Sequence, residues 1–234
     1  MKRFELKNKA KAALNDNFGA KMLLFIIPII VGILSGGNSL RTTFGGRSTN
    51  YDMMSGTAWT AWTVLAFLGI FIAVISIVFA LFIAVVTTAA MFNYMKIYRG
   101  ERTNPQFKNI FVPFYDGSAG KIILLNFIKG LILIALALIP VIGWGFAIYL
   151  SLGWAQSTYV LFDKLEKGEY QGVMDVLGSS SVMMRGLRGN YFIFQLSFFW
   201  WYLLNGVTGG FAGFWVIPYT NMARVAYYEN IGNL

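Results

Sequence analysis

The sequence predicts an all-α fold: a polytopic transmembrane helical bundle of about six spans, N-in and C-in, with two amphipathic surface helices. Three observations predict it. Of 234 residues, 57% are hydrophobic and 12% are charged, against roughly a quarter charged in an ordinary soluble domain. The apolar residues lie in blocks close to the ~20 residues of helix that cross a hydrocarbon layer. The basic residues flank those blocks. With the N-terminus inside, all of the 19 Lys and Arg except Arg41, Arg47 and Lys129 fall on the cytoplasmic side, as topology determinants do. Residues 1–234 therefore read as a single integral membrane domain.

Residues 1–19 open the chain as a short basic helix. Leu6, Ala10, Ala13 and Leu14 recur at helical spacing while Lys7, Lys9 and Lys11 take the other faces, a pattern suited to a headgroup surface. Spans 1–4 occupy residues 20–162. Span 1 runs from Ala20 to Ser35 with Pro28 in its middle, where the missing N–H and the ring kink a helix. The Gly- and Ser-rich stretch from Gly36 to Gly56 reads as a loop. Ala58 to Tyr98 is apolar for 41 residues without proline, and reads as one helix of about 60 Å. Trp59 and Trp62 would anchor its outer end. Ile122 to Ile139 is span 3, ended by Pro140 and a tight uncharged reversal. Phe146 to Phe162 is span 4.

Residues 163–190 form a cytoplasmic amphipathic connection. Val173, Val176, Leu177, Ser180, Met184 and Leu187 keep helical spacing, and Arg185 and Arg188 lie near its end. Residues 191–234 carry spans 5 and 6, joined by a Gly-rich corner.

The chain has no histidine and no cysteine. That removes zinc sites of the usual ligand types, Cys–His catalysis and disulfides within it. The net charge of +9 forms no basic stripe interleaved with aromatics, so nucleic acid is not an expected partner. The carboxylates Asp163, Glu166, Glu169 and Asp175 are mixed with Lys164 and Lys167 and read as a solvated charged loop. No motif supports an enzyme or calls for a cofactor.

Ionisable groups inside a span mark functional pathways by default, and Lys129 is the strong instance. It either snorkels to the headgroups or binds an anion or a backbone carbonyl. With Asn126, Gln156 and Gln195 it makes a candidate intramembrane polar site. These amides either bond between helices, at ~0.6 kcal/mol apiece, or line a path. Arg224 in span 6 reads as a snorkelling side chain. Lys7, Lys9, Lys11, Arg185 and Arg188 are candidate contacts to anionic lipid headgroups, each worth ~1 kcal/mol.

The C-terminal third carries a resemblance. Phe194 to Trp201, Thr208-Gly209-Gly210, Trp215 to Tyr219 and Ala226 to Glu229 resemble the ending of a Gram-positive bacterial membrane protein family known as domain of unknown function nine-seven-five. Tyr159 to Asp163 and Met183 to Gly186 look like its preceding blocks, and Leu6 to Lys11 with Leu14 and Asn17 to Gly19 like its opening. The segment Lys164 to Gly172 departs from it. The resemblance implies a multi-span protein of a bacterial cytoplasmic membrane and carries no activity.

Together these readings lead to a non-enzymatic membrane protein acting at the bilayer, in envelope homeostasis or protection against membrane-active peptides. Its expected partners are membrane lipids with anionic headgroups, and a protein or peptide. A transporter or channel for a small or lipidic solute, and an accessory subunit of a membrane complex, are the alternatives.

Overall fold

The computed structural model describes residues 3–15, 17–34, 58–102 and 105–232, with residues 58–63 described in their backbone alone. The stretch 36–56 and the side chains of Trp59 and Trp62 lie outside the described residues. Those described form helices and connections, with no β-strand among them. In chain order they are α1 (Arg3–Asn15), α2 (Phe18–Leu23), α3 (26–34), α4 (Ala58–Tyr98), a 3-10 turn (Phe107–Phe111), α5 (Val112–Tyr115), α6 (Ser118–Ala137) and α7 (Ile142–Gly153). Then come α8 (Ser157–Glu166), α9 (Val173–Met183), α10 (Arg188–Leu196), α11 (Phe199–Val207) and α12 (Gly213–Gly232).

Among the described residues two helices are long and apolar enough to cross a membrane: Val64–Tyr98 of α4, and α6. The uninterrupted α4 is the one the sequence predicts. The other four expected spans are broken or more polar. Span 1 divides at Leu24 and Phe25, because the ring of Pro28 collides with the carbonyl four residues earlier and offers it no N–H. Span 4 divides into α7 and α8 at residues 154–156, and span 5 into α10 and α11 at residues 197–198. Helices of nine to twelve residues reach about 13–18 Å, half a hydrocarbon layer. Span 6 corresponds to α12, which holds Pro218 within it and also carries Thr220, Asn221 and Arg224. Six separate full-length spans are therefore not what the individual helices supply.

The two predicted surface helices pack their apolar faces on protein. The apolar stripe of α1 (Leu6, Ala10 and Leu14, each at most 4% exposed) is covered by α12, along which α1 lies. The stripe of the second, Val173, Val176, Leu177 and Ser180, is buried in α9, which packs on α8, α7 and α6. In both, helical periodicity identifies the apolar face, but that face meets protein. The buried Lys21 Nζ donates to the Ala13 carbonyl at 2.7 Å, supplying a partner and a positive charge where α1 ends.

The core sits where α12 meets α1 and the C-terminal half of α4. On α12 nearly every side chain from Val216 to Tyr228 is buried or half-buried. The buried Ala89 and Ala90 of α4 and Ala223 and Ala226 of α12 permit close approach of two helices that touch each other. The α7–α8 break is satisfied internally: Ser180 Oγ donates to the Gly153 carbonyl at 2.8 Å. Without that bond a helix-end carbonyl would be left unpaired beside α9.

Arg99, one residue beyond α4, ties three helices together. Its guanidinium pairs with Asp163 at 2.7 Å and Glu166 at 3.4 Å on α8, and with Glu229 at 2.8 Å on α12. Tyr228 donates its hydroxyl to Asp163 at 2.5 Å, and Lys96 pairs with Glu166 at 2.9 Å. The expected solvated loop is in part a helix end carrying a structural ion cluster. Burial pushes the Glu229 carboxyl above its ordinary value, against the pull of Arg99.

The α6–α7 reversal is made within residues 138–141. Val141 has φ of 63°, and Trp144 Nε1 donates across the turn to the Ala137 carbonyl at 3.0 Å. A Cβ on Gly143 would sit 2.0 Å from the Leu136 carbonyl oxygen and 2.7 Å from Ile139 Cβ, whereas one on Gly145 would meet nothing within 4 Å.

Two outcomes follow for thermal unfolding in mild detergent. Gly143→Ala should destabilise by about 1–3 kcal/mol, the usual range for overpacking, while Gly145→Ala should be neutral or mildly stabilising through helix propensity, by up to ~1 kcal/mol. Arg99→Met should destabilise by about 1–3 kcal/mol, between the exposed and buried ion-pair limits, and Lys96→Met by less than ~1 kcal/mol. Equal losses in the second pair would show that Arg99 is no hub.

Candidate functional site

Polar side chains of the helices form two groups, one at Lys129 between α6 and α8 and one at Arg224 between α12, α10 and α11. Lys129, three turns into α6, is half-buried and directs Nζ toward Ser157 Oγ at 3.4 Å. Ser157 begins α8, so the break between α7 and α8 delivers this hydroxyl to the ammonium. Gln156, the residue before it, is fully buried (0% exposed). Neither its amide nitrogen nor its amide oxygen has a hydrogen-bond partner. A buried polar group left unpaired costs about 1–3 kcal/mol, so Gln156 stands out as a group maintained at a cost to stability.

The other two predicted members are placed differently. Asn126 donates to the Ile122 carbonyl of its own helix at 3.0 Å, and so is locally satisfied. Gln195 lies on α10 in a second cluster. Its Nε2 donates to the Tyr191 hydroxyl at 3.0 Å, and its Oε1 accepts from Arg224 Nε at 3.4 Å. Arg224 also donates to the Tyr202 hydroxyl at 2.9 Å and to Asn221 Oδ1 at 3.5 Å. The four predicted residues thus divide between Lys129 with Gln156, Asn126 on its own helix, and Gln195 with Arg224. The guanidinium of Arg224, read from the sequence as snorkelling, is held by side chains of α10, α11 and α12.

The candidate lipid-surface cations separate too. Lys9 and Lys11 on α1 and Arg185 after α9 are exposed. Lys11 Nζ stands 5.9 Å from the Tyr219 ring. Lys7 is half-buried, donating to the Ser197 carbonyl at 3.2 Å with Nζ 4.4 Å from the Phe198 ring. That carbonyl belongs to the break between α10 and α11, so a cation of α1 serves a gap in the C-terminal helices. Burial, with Lys11 and Arg3 nearby, holds the Lys7 ammonium below its ordinary value. Arg188 stacks on the Tyr149 ring at 3.7 Å, and its Nε and Nη1 are buried without a partner. A Cβ at Gly153 would come within 3.0 Å of its Nη2, so the glycine makes room for the guanidinium.

Sequence reading missed the Arg99 cluster and the tyrosines around Arg224. The first was hidden because Arg99, Asp163 and Glu229 are far apart in the chain. A usable signal for the second was the spacing of Tyr191 and Gln195, one helical turn apart on α10. A cavity of about 180 Å³ opens near the α4 end, lined among others by Asn93, Lys96, Arg102, Asp116, Ser118 and Glu166. It carries both signs of charge, and Arg102 donates to Asn93 within it. Among the described residues no group of three His, Cys, Asp or Glu is placed to hold a metal ion. What the clusters at Lys129, Lys7, Arg188 and Arg224 offer is cationic and neutral hydrogen-bonding groups among aromatic rings.

Residues 132–234 match the model of a family described as protein of unknown function (DUF975). This is the family that the C-terminal motifs resemble, and the matched stretch includes Gln156, Arg188, Gln195 and Arg224. The resemblance of the chain's opening lies outside it. No curated protein and no solved structure matches the chain.

Gln156→Met replaces the unpaired amide with an apolar side chain of similar length. It should leave stability unchanged or raise it by up to ~2 kcal/mol in detergent unfolding. A loss of more than ~1 kcal/mol would instead mean that the amide is satisfied in the folded protein.

Proposed function

We propose that this chain is a non-enzymatic, multi-pass protein of a bacterial cytoplasmic membrane that acts at the bilayer itself. Its work on this reading is envelope homeostasis or protection against membrane-active peptides, through contact with anionic lipid. One observation carries the reading: every residue from Val64 to Ala80 of α4 is exposed, and almost all are apolar. Exposing a Val, Leu, Ile or Phe side chain to water forgoes roughly 1.5–3 kcal/mol, so the twelve such side chains in this stretch forgo tens of kcal/mol. Hydrocarbon removes that penalty, and about 25 Å of α4 at 1.5 Å per residue is near the depth of its core.

Further apolar surface lies on α6 (Phe127, Leu131, Ile134), α7 (Phe146, Ile148) and α11 (Trp200, Leu203, Val207). The charged side chains gather elsewhere, on α1 and around Arg99. This division supports a membrane zone and an inner-face zone. In the proposed topology α4 and α6 cross as single helices. The pairs α2–α3, α7–α8 and α10–α11, together with α12, cross as interrupted units, giving six spans with both termini inside. The breaks are tolerable in a bilayer because Ser180 and Lys7 satisfy carbonyls that they free.

A second reading, passage of a small or lipidic solute, draws on the Lys129–Ser157–Gln156 group. An ammonium facing a serine hydroxyl, next in the chain to an unpaired buried amide, is what a transient solute would meet.

The natural absence of cysteine makes the topology directly testable. Single Lys167→Cys and Val207→Cys variants should label from opposite faces with a membrane-impermeant maleimide in intact and permeabilised cells. Six spans put residue 167 inside and residue 207 outside. Labelling of both from one face leaves α4 and α6 as the crossings and removes the six-span arrangement. Extraction of the wild-type chain by alkaline carbonate removes the membrane reading altogether.

A further inference from the structure

We propose that Arg224, with the tyrosine hydroxyls around it, forms a binding site for a phosphate-type anion that is reached from the lipid-facing side at Tyr202. The proposal deepens the bilayer reading above by naming the site and the chemistry that anionic headgroups would meet.

Two arginines of this protein show the contrast. Arg99 is surrounded by three carboxylates. Arg224 is met by neutral groups: the Tyr202 hydroxyl at 2.9 Å, Gln195 Oε1 at 3.4 Å and Asn221 Oδ1 at 3.5 Å. Among the described residues no carboxylate forms an ion pair with it. Two of its three bonds are at the long limit for a hydrogen bond, and a guanidinium has five N–H donors to place. A charge largely withdrawn from water without a counter-ion is costly, the more so between helices of a membrane protein. An anion would remove that cost.

A second observation points to an occupant. The hydroxyl of Tyr159, a residue 2% exposed, has no hydrogen-bond partner. It belongs with Tyr191 and Tyr202 to the groups that interact electrostatically with Arg224. Tyr159 is held in place by its ring, 5.2 Å from that of Tyr228. A phosphate oxygen accepts from guanidinium N–H and tyrosine O–H alike. The planar paired N–H groups of an arginine match two oxygens of one phosphate.

The opening is at Tyr202, which is 40% exposed on α11 next to Trp201 and Leu203. These side chains suit a lipid whose headgroup reaches Arg224 while its tails stay on the apolar surface, with aromatic residues at the level of the interface. The same donors would take a free inorganic phosphate, and the two sources are separated by experiment.

The test uses the full chain in mild detergent, with the wild type, Arg224→Gln, Tyr202→Phe and Lys108→Gln. Lys108→Gln removes an exposed cation outside the site. Native mass spectrometry reads retention of phosphatidylglycerol against phosphatidylcholine, and thermal unfolding reads the response to inorganic phosphate alone. The wild type and Lys108→Gln should retain phosphatidylglycerol preferentially. Arg224→Gln should lower that preference at least about tenfold, and Tyr202→Phe, which keeps the ring and its packing, about three- to tenfold. A stabilising response to inorganic phosphate that Arg224→Gln and Tyr202→Phe lose would assign the site to a free anion. Should Arg224→Gln fail to fold, Tyr202→Phe decides. If it matches the wild type in both readouts, the site does not exist. Both readouts are made in detergent and need no particular number of spans, so a failed topology leaves this result to stand or fall alone.

Discussion

The grip of Arg99 on Asp163, Glu166 and Glu229 is the interaction on which the rest of the arrangement depends. It stands just past the end of α4 and so fixes the C-terminal end of the long apolar helix. The other partners belong to α8 and α12, whose positions determine where Ser157, Gln156 and Arg224 come to lie. Partial burial of the cluster makes it stronger than an exposed pair, and several partners sharing one guanidinium satisfy more of its donors than one could. Around it the apolar part of the core closes, with Phe162 of α8 4.7 Å from Phe92 of α4.

From this anchored end the molecule divides by surface character. Charge gathers where the helices pack densely, and apolar side chains face outward on the projecting half of α4, on α6, α7 and α11. At the boundary stand cations held by aromatic rings and neutral oxygens: Lys7 on Phe198, Arg188 on Tyr149 and Arg224 with Tyr202. Each lies beside a helix break or at a helix end. Interruption frees backbone carbonyls and opens space, and long cationic side chains fill both needs. The same feature that shortens the helices thus places positive charge at the edge of the apolar surface.

Much of the secondary structure was legible in the residues. The continuity of α4 followed from the lack of proline in an apolar run, and the reversal after α6 from Pro140 and the glycines beside it. The breaks in spans 4 and 5 were not legible. Trp154 to Gln156 and Ser197 to Phe198 contain no proline or glycine, and local preference favours continuation. They break where a neighbour supplies a compensating bond: Ser180 for the Gly153 carbonyl and Lys7 for that of Ser197. Both donors are distant in sequence. The apolar stripes of α1 and α9 were legible as faces, but whether lipid or protein would cover them was not, since either satisfies the same periodicity.

The candidate site divides along the same line. Sequence by itself determined which ionisable and amide side chains sit within apolar stretches, because polarity and spacing are local properties: Lys129, Gln156, Gln195 and Arg224 all stand out in this way. Only the tertiary structure decided their company. It gave Arg99 its carboxylates, Asn126 its own helix, Gln156 no partner and Arg224 a shell of neutral oxygens. The physical reason is that hydrogen bonds and ion pairs act over about 3 Å. Which groups come within that distance depends on how helices far apart in the chain are packed, and no local pattern carries that information.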